Sequence, residues 1–155
     1  MKTLSILTAL ALGLAGAAQA DWRSERTTTA NGVTSNALTT VTRNGNTSVR
    51  STTVERSNGT GYTRDAVHTW DPETRSWTRS VTGATANGNT WTNNRVGTCS
   101  GSTCSSQSTF QNSNGRTIEG SSETTFRKGE ARQTWSWRSN NGRGAEGQRV
   151  WRRVR

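Results

Sequence analysis

Turn signals recur along this chain at a nearly constant spacing, and that spacing constrains the fold more than any other feature. Six Asn-Gly pairs and three weaker turn signals follow one another at intervals of 13 to 16 residues. A disordered chain rich in Ser, Thr, Asn and Gly has no physical reason to space its turns so evenly. The nine signals begin at Asn31, Asn44, Asn58, Asp71, Asn87, Ser100, Asn114, Lys128 and Asn141.

The residues at the turns and between them favour β-strands. Asn-Gly is the strongest short hairpin signal, because a type I′ turn needs positive φ at both central residues, which Asn tolerates and Gly adopts freely. The intervening segments are rich in Thr, Val, Trp and Arg, and β-branched Thr and Val prefer an extended backbone. Nine such turns predict about ten strands of roughly nine to eleven residues each.

The repeat is also visible residue by residue, and internal repeats decide the architecture of a chain. Residues 31–41 and 44–54 match at seven positions when one segment is shifted by 13 residues. We therefore expect an all-β chain, a repetitive antiparallel meander of about ten short strands with Asn-Gly turns. A β-solenoid with coils of about 27 residues remains an alternative. A largely disordered chain is another alternative. The combined share of Leu, Ile, Val and Phe after residue 20 is below roughly 20 %, which is typical of charged, disordered chains.

Residues 1–20 have the three parts of a cleaved secretory signal peptide. Lys2 supplies the positive start, residues 4–18 form an apolar stretch, and residues 18–20 form a small-residue cleavage site. The apolar stretch is shorter than the roughly 20 residues that a membrane-spanning helix needs. We predict an exported protein, periplasmic or extracellular, with residues 21–155 forming a single β-repeat domain that has no transmembrane segment.

Cys99 and Cys104 are the only cysteines, and they flank one of the predicted turns. An even number of cysteines in an exported chain favours a disulfide. Directly opposed residues of a hairpin bring their Cβ atoms close enough to be bridged. A catalytic thiol would need a strand–turn–helix context and a histidine base, and helix signals are almost absent after residue 20. We predict a disulfide that fixes one hairpin.

Nothing in the sequence predicts a catalytic or metal site. His68 is the only histidine, and it cannot form the usual zinc ligand sets with cysteines that pair with each other. The ten carboxylates are scattered, and a repeat meander offers no obvious cleft for a pair of glycosidase carboxylates. We expect no enzymatic activity, no catalytic residue, no metal and no cofactor.

The positive charge of the chain is large and is concentrated with Trp near the C-terminus. Lys and Arg number 20 against 10 Asp and Glu, which gives a net charge of +10. Arg binds sulfate, carboxylate and phosphate, while sugars and bases stack on Trp. Cross-strand Trp–Arg packing that shields a thin sheet would explain the same residues without a ligand. The predicted ligand-binding residues are Arg132, Trp135, Trp137, Arg138, Arg149, Trp151, Arg152, Arg153 and Arg155.

The sequence therefore predicts a non-enzymatic protein that binds an anionic polysaccharide or an envelope surface through Arg- and Trp-rich C-terminal strands. Export of the chain argues against intracellular nucleic acid as the partner. The alternative function is a structural component of the envelope or extracellular matrix that self-assembles by pairing its strand edges. The high net charge opposes such self-association.

Overall fold

The fold is a single open sheet of ten antiparallel strands that pair in chain order. The computed structural model describes residues 21–152, so the predicted signal peptide and the last three residues lie outside the described part. The predicted meander is confirmed, and the solenoid and disordered alternatives are wrong for this part of the chain. The strands are β1 (Trp22–Ala30), β2 (Val33–Asn44), β3 (Thr47–Arg56), β4 (Gly61–Asp71), β5 (Ser76–Thr85), β6 (Thr90–Ser100), β7 (Thr103–Asn112), β8 (Thr117–Arg127), β9 (Glu130–Ser139) and β10 (Gly144–Arg152).

Successive loops lie at opposite ends of the sheet, and this explains the period of 27 residues in the sequence. Every loop at one end contains an Asn-Gly pair, and most of these pairs begin 27 residues apart because two strands and two turns separate them. The period therefore belongs to a pair of antiparallel strands and not to a solenoid coil. The loops at this end comprise residues 31–32, 57–60, 86–89, 113–116 and 140–143.

The geometry of most Asn-Gly turns differs from the predicted type I′ turn. Of the six Asn-Gly pairs, only the first has positive φ at both residues, at 50° for Asn31 and 75° for Gly32. In the second pair, Asn44 is still part of a strand, as the last residue of β2. In the four later Asn-Gly loops glycine alone has positive φ. The Gly59 N–H donates to the Arg56 carbonyl at 3.0 Å, and the same contact recurs in the other three loops. The type I′ prediction is wrong here because a left-handed glycine accommodates one extra residue, as in bulged hairpins.

These four loops also bind the preceding hairpin through a repeated hydrogen bond. The Ser57 N–H donates to the Thr34 carbonyl at 2.9 Å, and the Thr34 N–H donates to the Ser57 hydroxyl at 3.1 Å. The first residue of each later loop makes the same backbone contact at 2.9 to 3.0 Å. This row of hydrogen bonds connects each loop to the preceding hairpin. At the Asn-Gly end, neighbouring hairpins are therefore held together by these loop contacts as well as by the hydrogen bonds between strands.

The two faces of the sheet are chemically different. Directly opposed residues share a face, and the strand register places all seven Trp on one face, which we call the tryptophan face. Of the 24 Thr in the strands, 19 lie on the opposite face, which we call the threonine face. The tryptophan face is therefore the aromatic side of the sheet.

The core of this sheet is one layer thick and lies on the tryptophan face. Val81, Ala66 and Val54 are the buried apolar residues of the described chain, at 6 %, 8 % and 9 % exposure, and all three are on this face. No second layer of secondary structure packs on these small residues within residues 21–152. The described chain contains no helix that could cross a membrane.

The disulfide prediction is confirmed. Cys99 and Cys104 are directly opposed in the hairpin of β6 and β7, with their Cα atoms 4.0 Å apart and their sulfur atoms bonded. The bond closes a short loop, so its effect on the unfolded chain amounts to about 2 kcal/mol of stability. Neither cysteine is free, and the pair fixes the register at the centre of the sheet.

Candidate anion-binding face

The charges of the strands are divided between the two faces. The tryptophan face carries eight Arg and no carboxylate, whereas all eight carboxylates of the strands lie on the threonine face. The tryptophan face is therefore positively charged along much of its length, although the chain contains ten acidic residues. Its arginines are Arg26, Arg43, Arg50, Arg56, Arg64, Arg79, Arg95 and Arg149.

Ion pairing is confined to the threonine face within the described residues. Arg23 pairs with Glu25 at 2.5 Å, and Glu130 pairs with Arg152 at 3.0 Å and Arg132 at 3.7 Å. The arginines of the tryptophan face make no ion pair inside residues 21–152. Their charge is therefore available to an anionic partner.

A shallow groove of about 920 Å³ lies at the centre of the tryptophan face. Its volume lies in the range of ligand-binding clefts, and its lining contains no carboxylate. Val81 and Asn93 occupy directly opposed positions inside it. The loops 57–60 and 86–89 border the groove at the Asn-Gly end. The arginine and aromatic side chains that line the groove are Arg56, Arg64, Arg79, Arg95, Tyr62, Trp91 and Phe110.

Two arginines of this groove are directly opposed across neighbouring strands. Arg79 on β5 lies opposite Arg95 on β6, and His68 on β4 lies opposite Arg79 on its other side. Like charges at directly opposed positions destabilise a sheet. No carboxylate of the described tryptophan face relieves this repulsion, so an anion bound in the groove would stabilise the folded chain.

Arg95 is held in place by contacts within the protein. Its Nη2 atom donates to the hydroxyls of Ser106 at 2.7 Å and Ser122 at 2.8 Å, and its guanidinium lies 5.3 Å from the Trp77 ring centroid. Trp77 also stacks on His68, with ring centroids 6.0 Å apart. His68 is thus a polar residue packed on a sheet face. These contacts form a fixed wall beside the more exposed Arg79.

Three indoles of the tryptophan face lie over glycines of the neighbouring strand. A Cβ atom added at Gly97 would lie 2.5 Å from the Trp77 ring, and one at Gly147 would lie 2.6 Å from the Trp135 ring. Gly83 and Trp91 form the third pair, and Trp91 lines the groove. A strand glycine packed under an aromatic ring in this way protects the backbone and fixes the register. These glycines are therefore structural parts of the aromatic face.

The structure divides the predicted C-terminal binding residues between the two faces. Neighbouring residues of β9 and β10 lie on opposite faces of the sheet, so the predicted binding residues do not form one surface. Arg132 and Arg152 contact Glu130, and the Arg149 guanidinium lies 5.7 Å from the Trp151 ring. Arg153 and Arg155 lie outside the described residues. On the tryptophan face are Trp135, Trp137, Arg149 and Trp151, whereas Arg132, Arg138 and Arg152 are on the threonine face.

Sequence reasoning missed the central groove because its residues come from distant parts of the chain. Arg56, Arg64, Arg79 and Arg95 lie on four successive strands, and each is isolated in the sequence. The available signal was the alternation within each strand combined with the exact register of each hairpin. The C-terminal cluster attracted attention because its arginines are close in sequence, although alternation separates them in space.

The pairing of Glu130 predicts a pH-dependent contribution to stability. The Arg152 side chain donates to the Glu130 carboxylate at 3.0 Å, and this contact holds the pKa of Glu130 below its ordinary value. A carboxylate with a lowered folded-state pKa contributes stability above its unfolded pKa, near 4.5, and loses that contribution as the pH falls through the folded pKa.

We expect the melting temperature of wild type to exceed that of Glu130→Gln at neutral pH, and the difference to disappear in acid. Thermal unfolding of both proteins across that pH range measures this difference. The difference should be small, because the pair is at the surface. A difference that stays constant down to acid pH would contradict a role for this carboxylate.

No known protein family, curated protein or solved structure matches this chain. The described residues also contain no group of three or more His, Cys, Asp and Glu side chains that could hold a metal ion. The class that the fold itself defines is a single-layer antiparallel β-meander with one aromatic, arginine-rich face.

Proposed function

We propose that this chain is an exported, non-enzymatic protein that binds an anionic polymer on its tryptophan face. The observation that carries the proposal is the separation of charge, with eight Arg and no strand carboxylate on the face that holds every Trp. Solubility alone requires net charge and no such separation, because charge on either face would serve. Arg beside exposed aromatic rings suits a partner that has both anionic groups and flat surfaces.

The centre of the sheet supports this function better than the C-terminal strands do. The groove brings four Arg together without a carboxylate, whereas two of the three described C-terminal Arg on the threonine face already contact Glu130. An anion gains most from arginines that have no competing carboxylate. We therefore place the principal contact in the groove between β3 and β7, with the remainder of the tryptophan face as a flanking surface.

The proposal predicts salt-sensitive binding to dextran sulfate and no binding to uncharged dextran. If the four groove arginines contact sulfate groups, raising the salt concentration from 50 to 200 mM should weaken binding by about 50-fold, by analogy with counterion release from single-stranded nucleic acid. Retention of the purified protein on the two immobilised polymers over a salt series measures this. Equal retention on both polymers, or retention that does not change with salt, would contradict the proposal.

The open edges of the sheet favour self-assembly as a second candidate function. β1 and β10 each have one neighbour, so each leaves one edge unpaired in the described structure. Since the meander alternates direction, β10 of one copy could pair antiparallel with β1 of the next and continue both faces. Sedimentation velocity at high salt, where charge repulsion is screened, would show growing oligomers if this function is correct. A monomer at every concentration would exclude it.

A further inference from the structure

We infer that the groove binds acidic sugar units, with one sugar ring stacked on Trp91 and its sulfate or carboxylate groups held by Arg64 and Arg79. This inference rests on the proposed function and names the kind of anionic polymer that the groove selects. It depends on the placement of one indole and on the groups around it.

The Trp91 indole lies against the sheet with one side covered. Gly83 lies directly opposite Trp91 on β5, and a Cβ atom added at Gly83 would overlap the indole ring. The ring therefore lies over the glycine backbone and lines the groove. Tyr62 packs against it in a T-shaped arrangement, with an interplanar angle of 61° and ring centroids 6.4 Å apart. Because the glycine backbone covers one ring face and the indole lines the groove, the other ring face is on the groove side.

The neighbouring Trp77, on the same face, has an indole ring that other side chains already contact. Trp77 lies over Gly97 in the same manner as Trp91 lies over Gly83. Its ring is nevertheless covered by the Arg95 guanidinium at 5.3 Å, and it stacks on His68. No guanidinium or parallel ring within the described residues covers Trp91 in this way. Trp91 is therefore the indole of this pair that can stack on a ligand.

The groups around Trp91 match a ring that carries both acid groups and hydroxyls. Arg64 lies directly opposite Gly83, so its cationic side chain is next to the indole, and Arg79 lines the same groove. Planar guanidinium groups bind sulfate and carboxylate through paired hydrogen bonds. Hydroxyl and amide side chains line the rest of the groove and can bond to sugar hydroxyls. They are those of Thr60, Thr85, Asn87 and Asn93.

The same observations favour sugar over nucleic acid. Surfaces that bind single-stranded nucleic acid stack successive bases on several aromatic rings. The groove lining contains a single indole, and Tyr62 is inclined to Trp91 at 61°, so the two rings do not form a parallel stacking platform. A chain of phosphates without rings would use the arginines and leave the indole unused. Trp91 therefore separates an acidic polysaccharide from polyphosphate in an experiment.

The experiment compares binding of wild type, Trp91→Ala and Gly83→Ala to dextran sulfate and to polyphosphate. Both substitutions should weaken dextran sulfate binding by about tenfold, the order of one lost stacking contact. Gly83→Ala keeps the indole but inserts a methyl group where the ring lies, so it tests the placement of the ring. Binding to polyphosphate should be unchanged in both variants.

Gly147→Ala is the matched control, because it inserts the same methyl group under the Trp135 indole, away from the groove. Its dextran sulfate affinity should fall much less than that of Gly83→Ala, because Trp135 belongs to the flanking surface and not to the groove, and circular dichroism checks that all variants are folded. Loss of affinity in Gly147→Ala as large as in Gly83→Ala would overturn the assignment to Trp91. Tighter binding to poly(dT) than to dextran sulfate in wild type would assign the groove to nucleic acid instead.

The two proposals fail in different ways. If Trp91→Ala and Gly83→Ala bind dextran sulfate as well as wild type does, while removal of Arg64 and Arg79 weakens binding, the sugar-stacking inference is wrong and the anionic polymer proposal stands. If neither kind of variant changes binding, both are wrong. Both proposals are supported if both kinds of variant lose dextran sulfate binding, while polyphosphate binding is lost only when the arginines are removed.

Discussion

Replacing Arg64 and Arg79 together with Gln should lower the affinity for dextran sulfate on the order of 100-fold at low salt, because two charged hydrogen-bonding groups are lost. The slope of log affinity against log salt concentration should also fall by about 1.5, since two fewer counterion-releasing contacts remain. Gln retains a polar side chain, and Arg95, which contacts Ser106 and Ser122, is left untouched. Isothermal titration calorimetry over a salt series measures both quantities.

The control for this experiment removes the same charge from the other face. Arg127 and Arg138 are exposed on the threonine face, so replacing both with Gln gives the same net charge as the groove variant. We expect this control to lose little affinity, because long-range attraction is largely screened at moderate salt. Equal losses in the two double variants would show that net charge alone, and not the tryptophan face, determines binding.

Substituting Val81 with Asp should be the most destabilising single change considered for this sheet. Val81 is 6 % exposed and lies between Ala66 and Asn93 on the tryptophan face. The change removes apolar packing and desolvates a carboxylate, and although Arg64 and Arg79 nearby offset part of this cost, the free energy of unfolding should still fall by roughly 2 to 3 kcal/mol. A domain of ordinary stability, about 5 to 15 kcal/mol, loses much of its margin by such a change. Urea unfolding followed by Trp fluorescence measures the loss.

The same substitution at Val96 tests whether the thin core lies on one face only. Val96 is 52 % exposed on the threonine face of the adjacent strand β6. Val96→Asp should change the free energy of unfolding by less than about 1 kcal/mol, because its carboxylate remains in water. If Val96→Asp destabilises the protein as strongly as Val81→Asp, the two faces are equally buried in solution and the single-sided core is incorrect.

Turn spacing and alternation were sufficient to predict the architecture and parts of its surface. The nine turns and ten strands are where the Asn-Gly pairs and the weaker turn signals place them, and Cys99 lies opposite Cys104 as predicted. The separation of Trp135 and Trp137 from Arg132 and Arg138 follows from alternation along β9. These features depend on local chemistry, which is visible in a single strand or a single hairpin.

The common face of all seven Trp depends on register, and the expected turn geometry would have given the wrong register. A type I′ turn at Asn87-Gly88 would place Trp91 opposite Ala84. With the left-handed glycine and its extra residue, Trp91 lies opposite Gly83. A shift of one residue moves a strand's entire set of side chains to the other face. The groove at Arg64, Arg79 and Trp91 was therefore not predictable from Asn-Gly pairs interpreted as two-residue turns.

The most direct test of the account is the NMR response of the indole N–H groups to dextran sulfate oligomers. Because all seven Trp lie on one face, these signals together report contact with that face, and threonine methyl signals report mainly on the other. We predict that the Trp91 indole signal shifts at the lowest ligand concentrations, while the methyl signals of the threonine face stay in place. Shifts confined to threonine methyls, with every indole signal unchanged, would contradict binding on the tryptophan face.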